Sequence, residues 1–216
     1  MKFTYYDHGD RSENKVALTF DDGPNPYATE SVLDVLKWYS APATFFILGK
    51  RAQQYPWLVK RIIEERHTIG NHTYSHSRKK RDYEKAEILI KRVTRKDSYF
   101  VRPPYMRLDF TADELRQVRG MKIIRCDFNS HDYEPSIQAE EIYHYVITGA
   151  QNGSIIVFHD GSERDTELTM RPRQTIKALP WIIEALQAKY KFVSLDQLNL
   201  VEKKKSLYAG ARSAAA

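Results

Sequence analysis

The sequence predicts a single α/β domain, a barrel-like ring of parallel strands alternating with helices. Three observations predict it. Seven short β-prone runs interleave with helical ones along 216 residues, a pattern that builds βαβ units and a parallel sheet. Five clusters of chemically able residues, at 19–24, 72–76, 102–105, 127–133 and 159–160, each follow directly on such a run. A parallel barrel gathers its strand C-terminal ends at one face, so these clusters become neighbours. No internal repeat or low-complexity linker divides the chain, and this length suits one sizeable core.

The elements follow in order. Residues 16–20 read as a strand, and 29–39 as a helix whose Val32, Leu33, Val35, Leu36 and Tyr39 form an apolar stripe. Residues 43–48 are a strand, where Thr44, Phe45, Phe46 and Ile47 suit a buried parallel position. Residues 53–66 are helical, with Leu58, Val59, Ile62 and Ile63 on one face. A short strand at 68–70 precedes a helix at 82–96 striped by Ile88, Leu89 and Val93. The strand at 99–101 stops at Pro103 and Pro104. Thr111 with Glu114 three residues later is a capping box opening a helix at 111–119, and Gly120 ends it. Strand 122–126, helix 136–148, strand 154–158, helix 173–189 and strand 192–195 complete the series, with Asp196 placed to cap a short closing helix. The expected organisation is an N-terminal segment at 1–14, the domain at 15–200, and a disordered tail of basic and small residues at 201–216.

Composition narrows the function classes. A hydrophobic fraction of 42% with 29% charged residues excludes a disordered chain. The 34 basic against 28 acidic residues give a formal charge of +6. Seven of the positive charges sit in the runs 78–81 and 203–205. These read as solvated helix ends and a frayed tail, because no aromatic-rich strand or nucleic-acid motif accompanies them. No nucleic-acid partner is expected. The lone Cys126 excludes an intramolecular disulfide and lies in an apolar strand pattern, as a small core residue does. No stretch approaches the roughly 20 apolar residues of a membrane span, so stable membrane insertion is not expected. The first eight residues lack the apolar run of a signal peptide. The expected location is cytoplasmic, with secretion left open in case a signal was removed, and oligomeric state is not readable.

The clusters are the parts of a metal-assisted hydrolase. Asp21 and Asp22 end the first of the seven runs, checked by Gly23-Pro24. Successive side chains alternate on an extended chain, so two adjacent carboxylates at a turning strand end can divide the work, one ligating a metal and one free as a base. His72 and His76 are four apart, so one helical turn would put both imidazoles on one face. No Glu follows the first His, as it does in the zinc protease helix, so the base must come from elsewhere, with Asp21 the nearest candidate. Arg102, before two prolines, sits on a stiff extended segment, and its fork would fix the orientation of a carboxylate. His159 ends an apolar strand. A carboxylate partner, from Asp127, Asp132 or Asp160, would raise its pKa and suit it to act as a general acid.

From residue 15 to about 198 the chain resembles the polysaccharide deacetylases of the NodB-homology type, carbohydrate esterase family 4. The resemblance is carried by Thr19-Phe20-Asp21-Asp22-Gly23-Pro24 with His72-Thr73-Tyr74-Ser75-His76 downstream. It implies a distorted (β/α) barrel with about seven strands. It implies one divalent metal held by Asp22, His72 and His76, zinc first, with cobalt, nickel or manganese as alternatives. Asp21 would be the general base, oriented by Arg102. The backbone N–H of Tyr105 would help hold the oxyanion, and Pro103 and Pro104 would line the groove. His159 would protonate the leaving amine, tuned by Asp132, with Asp127 as the fallback. Val157 would sit in the pocket for the acetyl methyl. Three departures bear on substrate choice: Met106 stands where the family has Gly, Tyr133, a further groove residue, stands where it has Trp, and the stretch 77–98 is short and very basic.

The implied reaction is hydrolysis of N-acetyl groups on N-acetylglucosamine residues of a carbohydrate, chitin-oligomer or peptidoglycan-like. The alternatives are the same machinery acting on O-acetyl esters or another small amide, and an inactive sugar-binding module. Decay to a module would be expected to lose a ligand or the base, and Asp21, Asp22, His72, His76 and His159 are all present.

Overall fold

In a computed structural model of the chain the described residues are 2–78, 81–162 and 170–206, side chains at 170–173 excepted. The elements run β1 Lys2–Gly9, β2 Lys15–Asp21, α1 Ala28–Trp38, β3 Ala43–Ile47, α2 Gly49–Gln54, α3 Pro56–Glu64 and β4 Thr68–Asn71. There follow α4 Asp82–Thr94, β5 Phe100–Val101, α5 Ala112–Gln117, β6 Lys122–Ile124, β7 Phe128–Asn129 and α6 Ala139–Gly149. The chain closes with β8 Ile155–His159, α7 Met170–Gln187, β9 Lys191–Phe192 and β10 Leu200–Ser206, and has 3-10 turns at Pro104–Met106 and Leu195–Gln197.

The strands form one sheet in the order β10-β1-β6-β5-β4-β3-β2-β8-β7, with β9 also beside β2. Every pairing is parallel except that of β1 with β10. The sheet curls until β1 meets the free edge of β8. There a single bridge joins His8 to Ser154, and β7 covers the same edge further along, at Ile156 and Val157. This is a distorted barrel with an irregular seam. Gly153 lies at that seam with φ +74°, and a Cβ there would fall 2.5 Å from the Gly9 carbonyl oxygen, so a side chain would push the edges apart.

Strand alternation sorts the core into two parts. On β2, Leu18 and Phe20 face outward into a cluster shared with α1, α3, α6 and α7, where Phe20 stacks between Phe45 and Phe158 at 5.1 and 5.6 Å. Ala17 faces the barrel interior with Phe46, Phe100, Ile124 and Ile155. The same period of two puts Thr19 and Asp21 on the interior side, directly beneath the barrel mouth.

A strand forms at each of the seven expected places, and β1, β7 and β10 are additional. However, β6 stops at Ile124, and the last strand, expected at 192–195, is only Lys191–Phe192, with Leu195 already in the 3-10 turn. The expected N-terminal segment and the first part of the expected tail are therefore strands. The lysines that suggested a frayed end are an edge-strand device: Lys203 reaches Asp7 at 2.9 Å while charge along β10 covers an open sheet edge. Residues 207–216 and Lys79-Lys80 lie outside the described residues. The helix expected at 53–66 is two, because Pro56 has no N–H to continue α2 and instead opens α3 at its first turn. The expected cap of the closing turn fails as well. Asp196 accepts from the Thr68 hydroxyl at 2.6 Å, and Ser194 is the cap position. The capping box of α5 forms as expected, with Glu114 N–H donating to Thr111 Oγ1 at 3.1 Å and Thr111 N–H donating to Glu114 Oε2 at 2.7 Å. No helix among the described residues is long and apolar enough to cross a membrane.

Candidate active site

The strand ends converge on a pocket of about 420 Å³ lined by Asp21, Asp22, His72, His76, Tyr105, Met106, Asn129, Tyr133, Val157, His159, Gly161 and Ser162. Asp21 closes β2 facing inward, and Asp22, at φ +73°, turns the chain so that its carboxylate points to a different neighbour. Gly161 permits this turn, since a Cβ there would lie 2.4 Å from the Asp22 carbonyl oxygen.

Arg102 is fully buried. Its Nη1 donates to Asp21 Oδ1 at 2.6 Å and to Thr19 Oγ1 at 2.9 Å, its Nη2 donates to the Arg125 carbonyl at 3.2 Å, and the guanidinium lies 4.0 Å from the Phe46 ring centre. A buried guanidinium is tolerable only when paired in this way. Burial alone would raise the Asp21 pKa, but the charge of the Arg102 guanidinium beside it outweighs that and holds the carboxyl below the usual carboxylate range. Asp21 is thus ionised, fixed through one oxygen, with its other oxygen 3.8 Å from His72 Nε2.

His72 follows β4, and its Nδ1 lies 2.8 Å from the Arg102 carbonyl. A carbonyl can only accept, so Nδ1 carries the proton and Nε2 presents a lone pair. Burial lowers the His72 pKa despite the nearby carboxylates, which keeps the ring neutral. Nε2 of His72 and Nε2 of His76 each stand 3.5 Å from Asp22 Oδ1. The expected helical turn is absent. Thr73 and His76 take φ +71° and +58°, and a bent loop brings the rings to 5.0 Å. Asn71 Oδ1 accepts the Thr73 N–H at 2.8 Å, and Asp82, in the first turn of α4, accepts the N–H groups of Tyr74 and Ser75 at 3.1 and 3.0 Å.

These three residues fit a divalent cation. Their ligand atoms lie within 4.8 Å of one another, and the buried Asp22 Oδ1 has no hydrogen-bond partner among the described residues. A carboxylate with two imidazoles is a donor set that zinc accepts. The Arg102 carbonyl, by accepting from Nδ1, also orients the His72 ring so that Nε2 faces the other two donors.

Across the pocket, His159 ends β8 and is the register partner of Asp21 on β2. Asp132 holds it at two points: Oδ2 accepts the His159 backbone N–H at 2.7 Å, and Oδ1 lies 2.7 Å from Nδ1. Thr175 on α7 donates its hydroxyl to the same Oδ2 at 2.7 Å. Burial opposes the charged imidazole, but Asp132 overrides it and raises the His159 pKa to about 10. The other two acids are engaged elsewhere. Asp127 secures the barrel seam, accepting from Arg11 at 2.6 Å, Ser154 Oγ at 3.0 Å and Ile155 N–H at 2.8 Å. Asp160 accepts from Thr29 at 2.6 Å, and burial pushes its pKa up to about 7.

Pro103 and Pro104 are buried and are not on the pocket wall. They stiffen the approach to Tyr105 and Met106, which form the wall instead, at φ +56° and +54°. Tyr105 is 66% exposed at the mouth with its ring 4.7 Å from His76. Tyr133 stands edge-on to His159 at 6.0 Å. Val157 lies in the pocket floor, 1% exposed. Sequence reading missed Asn129, Gly161 and Ser162 on the wall, and Thr175, Asn71 and Asp82 behind it.

Comparison with known proteins places the chain in a family. Residues 8–124 match the polysaccharide deacetylase family. A peptidoglycan-N-acetylglucosamine deacetylase of Bacillus cereus is 32% identical over 94% of this chain and 75% of its own length. A chitooligosaccharide deacetylase of a Bradyrhizobium strain is 34% identical over 89% of this chain and 94% of its own. A crystal structure of a peptidoglycan N-acetylglucosamine deacetylase superposes with a TM-score of 0.81 at 32% identity, covering 90% of this chain and 92% of that one. The chain belongs to the polysaccharide deacetylase family and is a hydrolase acting on non-peptide carbon–nitrogen bonds.

Proposed function

We propose that the protein removes N-acetyl groups from N-acetylglucosamine residues of an oligo- or polysaccharide, using one divalent cation, zinc first among the candidates. One observation carries the reading: Asp22, His72 and His76 converge to within 4.8 Å of one another while Asp21 stays beside them in the grip of Arg102. The names of the relatives, peptidoglycan and chitooligosaccharide deacetylases, support the substrate class.

Each residue has a task that follows from its surroundings. Asp22, His72 and His76 would hold the cation, which when bound supplies Lewis acidity to polarise an acyl carbonyl and acidify water. Asp21, ionised by its buried Arg102 partner, accepts the proton of the attacking water. Arg102 fixes which carboxylate oxygen is available for that transfer. His159, kept protonated by Asp132, donates to the nitrogen of the departing amine, which leaves poorly as an anion. Val157 gives the acetyl methyl an apolar contact, and Tyr105 and Tyr133 offer ring faces to the sugar. The main chain at Tyr105 is the candidate donor to the oxyanion.

The test is a mass-spectrometric screen of zinc-loaded protein over chitin oligomers, peptidoglycan fragments and acetylated xylan. Loss of an acetyl group with a new free amine on the first two supports the proposal. Deacetylation of xylan alone would replace it with esterase activity, and glycan binding without turnover in added zinc or cobalt would replace it with a binding module.

A further inference from the structure

Arg78 joins the two halves of this site in a way that neither the motifs nor the proposed chemistry use. It lies two residues after His76, with its side chain 16% exposed, and points toward the segment between Tyr105 and α5. Its Nε and Nη2 donate to the two oxygens of Glu114 at 2.7 and 3.0 Å, a two-pronged pair. Nη1 donates to Asp109 Oδ1 at 2.5 Å and Nη2 to the Asp109 carbonyl at 3.0 Å. The guanidinium also sits 5.3 Å from the Phe110 ring centre. Glu114 is buried and is itself fixed by the capping box of α5, so the anchor point is rigid.

The consequence is geometric. The loop carrying His76 contains left-handed residues at Thr73 and His76, and left-handed non-glycine positions persist only when their surroundings hold them. Asp82 holds the loop before His76. After His76, Arg78 ties the chain to Glu114 and Asp109 through all three of its guanidinium nitrogens. The wall facing it, Tyr105 and Met106, is likewise left-handed, and its ring contacts that of His76 at 4.7 Å.

We infer that Arg78 is a positioning residue of the metal centre: by clamping onto Glu114 and Asp109 it sets the distance between the His76 loop and the Tyr105–Met106 wall. The inference rests on the metal-site reading above. A planar fork is required, since the three donors of a lysine radiate from one nitrogen and cannot span the two Glu114 oxygens and the two Asp109 oxygens that the three guanidinium nitrogens reach together.

The test is zinc affinity, measured on the full chain by competition with a chromophoric chelator, alongside thermal unfolding of the metal-free protein. Arg78→Lys and Arg78→Gln are expected to bind zinc about 10-fold more weakly, as outer-shell supports of metal ligands do. Arg116→Lys, which alters an exposed pair on α5, is expected to bind as wild type does. Should the Arg78 variants not fold, Glu114→Gln and Asp109→Asn leave Arg78 in place and are expected to weaken zinc in the same direction. Lowered thermal stability with unchanged zinc affinity would overturn the clamp alone. Wild-type protein that takes up no zinc would overturn the metal centre, and the clamp with it.

Discussion

Asp132 grips His159 at both its main chain and its ring, at 2.7 Å each. This double contact makes the imidazole a poor base and a persistent acid. With a pKa raised to about 10, His159 is protonated across neutral pH and gives up its proton only in strong alkali. The alkaline limb of the pH–rate profile is therefore expected near that value. Asp132→Asn removes the charge that opposes desolvation, so the limb should move to lower pH and turnover should fall about 100-fold or more. The same linkage has a sign for stability. The folded pKa lies above the unfolded value of about 6.5, so the contribution is complete below that pH and is lost as pH rises through about 10. An Asp132→Asn profile that superimposes on wild type would refute the pairing as the cause.

Asp21 and Asp22 are adjacent in sequence yet should separate cleanly in experiment. His72→Ala and Asp22→Ala remove a ligand and are expected to abolish stoichiometric zinc uptake. Asp21→Asn should keep the ion and lose turnover. It also leaves the Arg102 guanidinium buried without its carboxylate, a loss of about 3–5 kcal/mol, so its melting temperature should drop below that of Asp22→Ala. Zinc content by atomic absorption, read beside the melting curve, checks both parts.

Much of this was legible in the sequence, and for identifiable reasons. Period-two alternation on β2 marks Asp21 as inward-facing, and the strand-end position of each cluster predicts that they meet. What stayed hidden was local backbone. Thr73, His76, Tyr105 and Met106 are non-glycine residues in left-handed conformations, and no residue type announces that, so a helical turn was the natural expectation for the His pair. The supports were faintly visible. Asn71 and Asn129 each accept the N–H two residues on, a turn habit of asparagine, but nothing tied those turns to a pocket. β1 and β10 were masked by their charge, since the lysines that protect a sheet edge look the same as those of a loose end.

Met106 occupies a left-handed position where glycine is unstrained. Met106→Gly should relieve about 1 kcal/mol of backbone strain, roughly offsetting the loss of a half-buried side chain, so the melting temperature should change little. The pocket wall would open. The expected signature is a changed KM across glycans of different bulk with a smaller change in kcat, read from initial rates on chitin oligomers and peptidoglycan fragments. Equal changes in kcat for every substrate would instead mean that the residue supports the reacting groups.

Zinc should also stabilise the fold, because its three candidate ligands come from two chain segments, the end of β2 and the loop after β4, that meet only in the folded barrel. Binding to the native state alone adds about 2.7 kcal/mol at 100 times the dissociation constant. For a chain of this size each kcal/mol moves the melting temperature by roughly 2–4 °C, so saturating zinc should raise it by roughly 5–10 °C, and a chelator should reverse the shift. In Asp22→Ala the metal-free protein should lose little, since Asp22 Oδ1 makes no hydrogen bond among the described residues, and removing a buried carboxylate beside two imidazoles relieves desolvation. The zinc-dependent rise should vanish in that variant. A full rise in Asp22→Ala would mean that zinc stabilises the protein from some other surface, and that the three donors do not act together.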